Sequence, residues 1–386
     1  MKINCETKYV DNGIIKIAHI QDSDTKDIYF KFPLSVRDFL TDRDDPFVFA
    51  LLHIMMQHGG EIEFDGTVSR SVAKNVNKFS RLWHVWKPNL FKEIHIKANI
   101  ADDVFRNDNN KLIVAFSGGL DAAYTAYKYA KDLDTVQHFK LEKAVMVLGA
   151  DIPLDERNQF EIACTAAKRM TDDLGIDLVC VETNIREFLK SWSYSFASVI
   201  CGCLSFFQKE YFYGCMASDD TVKFYQIPWG SNPISDPYLT SDSFRFFVDG
   251  YEHSRTERAA VIRNWKVGVE NLRVCWSNED KSKNCGKCEK CVRTKLNFLA
   301  VGIKHLPSMP NDITTEEILQ PKLIRDKHNI LYFRDIYDYA KKHNSLSPEW
   351  INLLGRQVEQ WSAVKYTRKY GTVKSLLKKC LYKIKG

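Results

Sequence analysis

Residues 111–133, KLIVAFSGGLDAAYTAYKYAKDL, restrict the fold of this chain more than any other stretch. The apolar run 112–116 predicts a buried strand, Ser117-Gly118-Gly119 a tight turn, and the residues from about Asp121 a helix. Adjacent glycines let backbone amides approach an anion with no Cβ in the way. The first amides of a helix have no intrahelical partner and carry about half a positive charge. Together these features make a cradle for pyrophosphate. Ser117 adds a hydroxyl donor, and a carboxylate at Asp121, beside a polyphosphate, is placed to hold Mg²⁺. The implied ligand is Mg·ATP, bound by Phe116, Ser117, Gly118, Gly119, Leu120, Asp121 and Ala122. A Walker-type loop fits less well, because it needs four residues between its glycines and a following Lys-Ser/Thr.

The competing reading is a Gly-Gly turn that merely joins strand to helix. Against it stands a second βα unit: AVMVLGAD (144–151) reads as a strand, 156–176 as an amphipathic helix and DLVCVETN (177–184) as a further strand. Alternating strands and helices predict an α/β fold, a doubly wound, Rossmann-like parallel sheet. Such sheets bind ligands at the carboxyl ends of their strands, where the turn at 117–121 would lie.

Downstream, Cys275, Cys285, Cys288 and Cys291 form C-x9-C-x2-C-x2-C. Four thiolates so spaced can converge on one tetrahedral metal, and Gly286 allows the tight knuckle between the second and third ligands. Zn²⁺ is preferred over an iron–sulfur cluster, although thiolates suit both. Four protein ligands leave no open position. The metal is therefore expected to be structural, with a folding contribution on the order of 10 kcal/mol.

Strand, Ser-Gly-Gly-x-Asp, helix resembles the PP-loop of the N-type ATP pyrophosphatases. A PP-loop followed at a distance by a four-cysteine knuckle resembles their QueC-type (7-cyano-7-deazaguanine synthase-like) members, over roughly residues 111–303. The resemblance implies cleavage of ATP to AMP and pyrophosphate, with adenylation of a carboxylate or amide that an amine then attacks. It also implies a cation facing the phosphates, for which Arg255 is the preferred match. The catalytic set is then Ser117, Asp121 and Arg255. Two departures are visible. Ala122 replaces the family's usual Ser, removing one phosphate-facing hydroxyl, and Gly149-Ala150-Asp151-Ile152 stands where Asp-Tyr-Gly-Gln recognises the base. The loop and the four cysteines carry over residue by residue; deazaguanine recognition does not. QueC-like proteins in antiphage operons imply a further option, joining of such groups to a protein or nucleic acid.

The remaining segments are read from pattern. Residues 1–100 are expected to form a separate α+β module with strands at 13–20, 27–33, 61–66 and 93–98 and helices at 45–59 and 68–86; residues 99–110 would be the linker. Phe79, Trp83, Trp86 and Phe91 could clamp a planar substrate, with core packing the favoured reading. A helix at 193–210 carries Cys201-Gly202-Cys203, read as buried thiols, with catalytic sulfur chemistry as the alternative. After a strand at 211–218, the Pro/Gly-punctuated loop 226–238 offers Gly230, Ser231, Asn232 and Asp236 as substrate contacts, with a structured turn as the rival. His253 is a candidate base for the incoming amine.

With 386 residues and 45% hydrophobic content, the chain is long enough for a full core. No apolar run approaches a membrane span, the N-terminus is too polar for a signal peptide, and eleven cysteines suggest reduced thiols, so the cytoplasm is expected. Residues 304–386, expected to be helical, hold 16 Lys and Arg against 8 Asp and Glu. From Lys365 onward the pattern is a basic amphipathic helix, suited to an anionic membrane surface, RNA or an acidic partner, or to packing on its own domain. Two rival functions are a tRNA-modifying PP-loop thiolase and a catalytically silent ATP-binding or assembly subunit. The acyl substrate, the nucleophile and the oligomeric state, a homodimer included, stay open.

Overall fold

The computed structural model describes residues 1–22, 25–103, 110–134, 136–225, 227–320 and 327–359, in two compact units, 1–283 and 284–386. The basic segment from Lys365 lies outside the described residues, as do 104–109 of the expected linker.

One ten-stranded sheet underlies the first unit. Its strands are β1 (Lys2–Val10), β2 (Gly13–Gln21), β3 (Thr25–Phe32), β4 (Gly60–Ser69), β5 (Ile94–Ala101), β6 (Lys111–Ala115), β7 (Lys140–Leu148), β8 (Asp177–Thr183), β9 (Tyr213–Ala217) and β10 (Arg245–Asp249). Their spatial order is β10-β9-β6-β7-β8-β3-β2-β1-β4-β5. From β6 to β10 every pairing is parallel. The chain steps outward from β6 through β7 to β8, then returns to place β9 on the other side of β6. That reversal is a topological switch point, and doubly wound sheets receive ligands beyond the carboxyl ends of the strands at such a point, here β6 and β9.

The N-terminal strands do not close as a module of their own. β3 pairs antiparallel with β8 through Phe30–Thr183 and Lys31–Glu182, so the sheet runs across the boundary expected near residue 100. The physical reason is the open edge that β8 would otherwise present, together with a shared core: Phe30 and Phe32 pack on Phe206, with ring centroids 5.2 and 5.1 Å apart. Two strands escape sequence reading. β1 is polar along most of its length and buries only Ile3 fully, while β10 is just five residues long.

Helices Leu120–Ala130 and Arg157–Asp173 fall close to their expected spans. The cluster of Phe79, Trp83 and Phe91 is core: each is at most 3% exposed, and they surround His53, whose imidazole burial pushes down to about 3. Cys201-Gly202-Cys203 lies in helix Trp192–Ser205. A Cβ on Gly202 would fall 2.6 Å from Ala50 Cβ, so this glycine permits close contact with helix Asp45–Ala50. Both flanking cysteines are fully buried, and burial raises the Cys203 thiol to about 12.

In the second unit, helices Glu289–Ala300, Thr315–Leu319 and Lys327–His343 and a helical stretch at 348–359 enclose a core that includes Leu296, Ile318, Phe333, Ile336 and Leu354. A reciprocal Thr314–Glu317 capping box starts the short helix. Among the described residues, no helix is long and apolar enough to cross a membrane.

Candidate functional site

β6 ends at Ala115, the Phe116 side chain is buried, and the chain turns through Ser117-Gly118-Gly119 into a helix that begins at Leu120. Gly118 has φ +74°, a left-handed conformation in which an L side chain is strained. Gly119 is the N-cap and caps with no side chain, so the helix start relies on other donors and acceptors. Ala122, on the first turn of this helix, is buried at 8% exposure and offers no hydroxyl to the turn.

Arginines dominate the electrostatics around this turn. Asp121 accepts from Arg255 Nε at 3.1 Å and Nη2 at 3.0 Å, and from Arg258 Nη1 at 2.6 Å. Arg258 is 1% exposed and also donates to the Ser218 carbonyl, just past β9, and to the Gly250 carbonyl, just past β10. It thereby ties two strand ends to one helix start. Both arginines come from helix Arg255–Ile262, which a Ser254–Glu257 capping box initiates. A third cation, Arg273, donates its backbone N–H to the Gly118 carbonyl at 2.8 Å and its guanidinium to the Ser117 carbonyl at 3.2 Å. The Asp121 oxygens, expected to hold Mg²⁺, face two guanidiniums in this arrangement, which lowers the local negative potential available to a divalent cation. Sequence reading placed Arg258 at the same helix start but preferred Arg255, and it did not single out Arg273. The available signals were the i, i+3 spacing from Arg255 and the position two residues before Cys275.

Asp219 lies just past β9, accepting from Trp229 Nε1 at 2.7 Å, and burial pushes its carboxyl up. His253 is 40% exposed beside Glu252, and its ring packs edge-on to Tyr124.

Loop 227–238 holds itself together. Asn232 donates to the Trp229 carbonyl and Ser235 Oγ while accepting from the backbone of Ile234 and Ser235. Ser231 and Tyr251 hydroxyls bond Asp236, and a Cβ on Gly230 would strike the Phe196 ring at 2.6 Å. Ser231 and Asn232 are 0% exposed and Asp236 is 5% exposed. Ser231, Asn232 and Asp236 thus bond within the loop and to Tyr251, while Asp236 Oδ1 is buried without a partner among the described residues. Gly149-Ala150-Asp151-Ile152 turns back on β8: Gly149 has φ +90°, and a Cβ there would meet the Thr183 carbonyl.

Burial raises the Asp236 carboxyl to about 7, with Tyr251, Asn232 and Ser231 opposing the shift by hydrogen bonding. A carboxyl that holds its proton more tightly when folded contributes stability fully below its unfolded value. That stability is lost as pH rises through the folded value. Asp236→Asn mimics the protonated form. Between about pH 4 and 8 the variant is expected to lose less stability than the parent, by on the order of 2–4 kcal/mol, read from urea midpoints across pH.

The four cysteines converge as expected. All four sulfurs lie within 4.8 Å of one another, and Cys285 and Cys291 are 3.9 Å apart. The edge of a tetrahedron built on Zn–S bonds of about 2.3 Å is about 3.8 Å, so the thiols could hold a metal such as zinc. Gly286, at φ +73°, bends the knuckle so that the amides of Lys287 and Cys288 donate to Cys285 Sγ at 3.4 and 3.3 Å.

Compared with family models, curated proteins and solved structures, this chain matches none. The functional reading therefore rests on the residues themselves.

Proposed function

We propose that this chain is an ATP-dependent adenylating enzyme of the PP-loop kind, QueC-like in layout, that converts ATP to AMP and pyrophosphate while activating a carboxylate or amide for attack by an amine. One observation carries the reading: a left-handed glycine turn and a helix start occupy the switch point of a doubly wound sheet, with Arg255, Arg258 and Arg273 gathered around them.

In this reading the β- and γ-phosphates of ATP sit on residues 117–120, and magnesium arrives with the nucleotide as part of the substrate. Arg255 is 14% exposed, against 1% for Arg258. Arg255 is therefore the guanidinium that can swing from Asp121 to the departing pyrophosphate, while Arg258 stays on its carbonyls. A substrate oxygen attacks the α-phosphorus and pyrophosphate leaves. The amine nitrogen then attacks the acyl carbon and AMP departs with the bonding electrons. Positioning and charge neutralisation do the catalytic work, and no side chain serves as nucleophile. Zinc, in the four-cysteine group, is structural.

Thiolation through Cys201 or Cys203 loses ground to this reading, because both thiols are buried and pushed up by burial, Cys201 also by Asp236. The test is product analysis with ATP and a panel of carboxylates. AMP and pyrophosphate are expected, and ADP with phosphate would contradict the proposal. Nucleotide binding with no AMP under any condition would favour the silent-subunit alternative. Arg255→Met should lower kcat by about 10²-fold while leaving the fold intact.

A further inference from the structure

Two cysteines outside the metal group meet face to face. Cys164 lies in helix Arg157–Asp173 and Cys180 on β8, with their sulfurs 2.7 Å apart and Met146 Sδ 3.7 Å from Cys164. Cys180 is exposed and Cys164 half-buried, whereas Cys201, Cys203 and Cys215 are enclosed in the core. We propose that Cys164 and Cys180 are a modification site, a dithiol that closes to a reversible disulfide by exchange with a low-molecular-weight disulfide. A disulfide bond of about 2.05 Å requires the two sulfurs to approach by only about 0.7 Å, and the bridge would fasten the helix to the strand that follows it.

The two thiols have different roles. The contact with Cys164 holds the Cys180 thiol below its ordinary value, and the same contact raises Cys164. Exposure and thiolate character make Cys180 the attacking group. Its sulfur attacks one sulfur of the small disulfide, giving a mixed disulfide and one released thiol. Cys164 then attacks Cys180 Sγ and releases the second thiol. The protein dithiol is oxidised by two electrons, the small disulfide is reduced by two, and the two thiol protons pass to the released thiols. Arg273, which latches the Ser117-Gly118 turn, also acts electrostatically on the Cys164 thiol, opposing its upward shift. The assignment does not depend on the adenylation reading.

The full chain, incubated with oxidised glutathione, blocked with N-ethylmaleimide and cut with trypsin, is expected to yield peptide 158–168 joined to peptide 170–186. Their combined mass should be two hydrogens below the sum, in most molecules, and dithiothreitol before blocking should separate them. Recovery of both peptides carrying N-ethylmaleimide, or carrying glutathione separately, would overturn the proposal. In Cys164→Ser, the 170–186 peptide should retain glutathione as a lasting adduct, whereas an unmodified Cys180 there would refute its role as the attacking thiol.

Discussion

Cys291→Ser is expected to empty the four-cysteine group and to destabilise the chain more than any other single change. Cys291 is 0% exposed, so the variant leaves three thiols, of which Cys275 is buried and Cys285 and Cys288 half-buried, one ligand short of a tetrahedral set. Structural zinc contributes on the order of 10 kcal/mol in small zinc-bearing peptides, comparable with the whole stability of a typical domain. The purified parent should contain about one zinc per chain by elemental analysis, consistent with a four-thiolate set. Both the variant and chelator-treated parent should unfold at markedly lower temperature. A parent that holds no metal and is indifferent to chelator would remove the metal from the account of this protein.

Asp121→Asn comes next in size. The amide keeps the volume but removes the negative charge between Arg255 and Arg258, and Arg258, at 1% exposure, cannot recover by moving into water. Breaking a buried pair from one side costs about 3–5 kcal/mol. The urea midpoint should fall accordingly, and with it pyrophosphate release, since the turn and helix start lose their anchor to the ends of β9 and β10. If Asp121 served only to hold magnesium, activity would fall while the urea midpoint stayed unchanged. Measuring both on one preparation separates the two roles.

The readable parts of this protein were those whose signal is local. Two glycines beside a serine announce a turn whatever surrounds them, and Gly118 does adopt the left-handed conformation that such a turn uses. The four cysteines are legible because ligand spacing within a short segment limits the geometry. The α/β alternation from 111 to 184 is legible because strand and helix differ in hydrophobic period. By contrast, β1 was hidden because Lys2–Val10 places mostly polar side chains outward and depends on β2 and β4 for its pairing. The bonding inside loop 227–238 was not legible because Ser, Asn and Asp serve equally well as ligand contacts and as internal struts, and burial, which bears on the choice, is not written in composition.

By itself, the order of residues settled the turn at 117–119, the helix after it and the convergence of Cys275, Cys285, Cys288 and Cys291, since each follows from conformational or ligand preferences within a few residues. Only the tertiary structure decided that the N-terminal strands continue the same sheet, that three arginines from two later segments meet at that turn, and that Asp121 faces guanidinium rather than open solvent. Such outcomes depend on edges, cores and charges brought together from more than a hundred positions apart, as Asp121 and Arg255 are, and no local pattern encodes them.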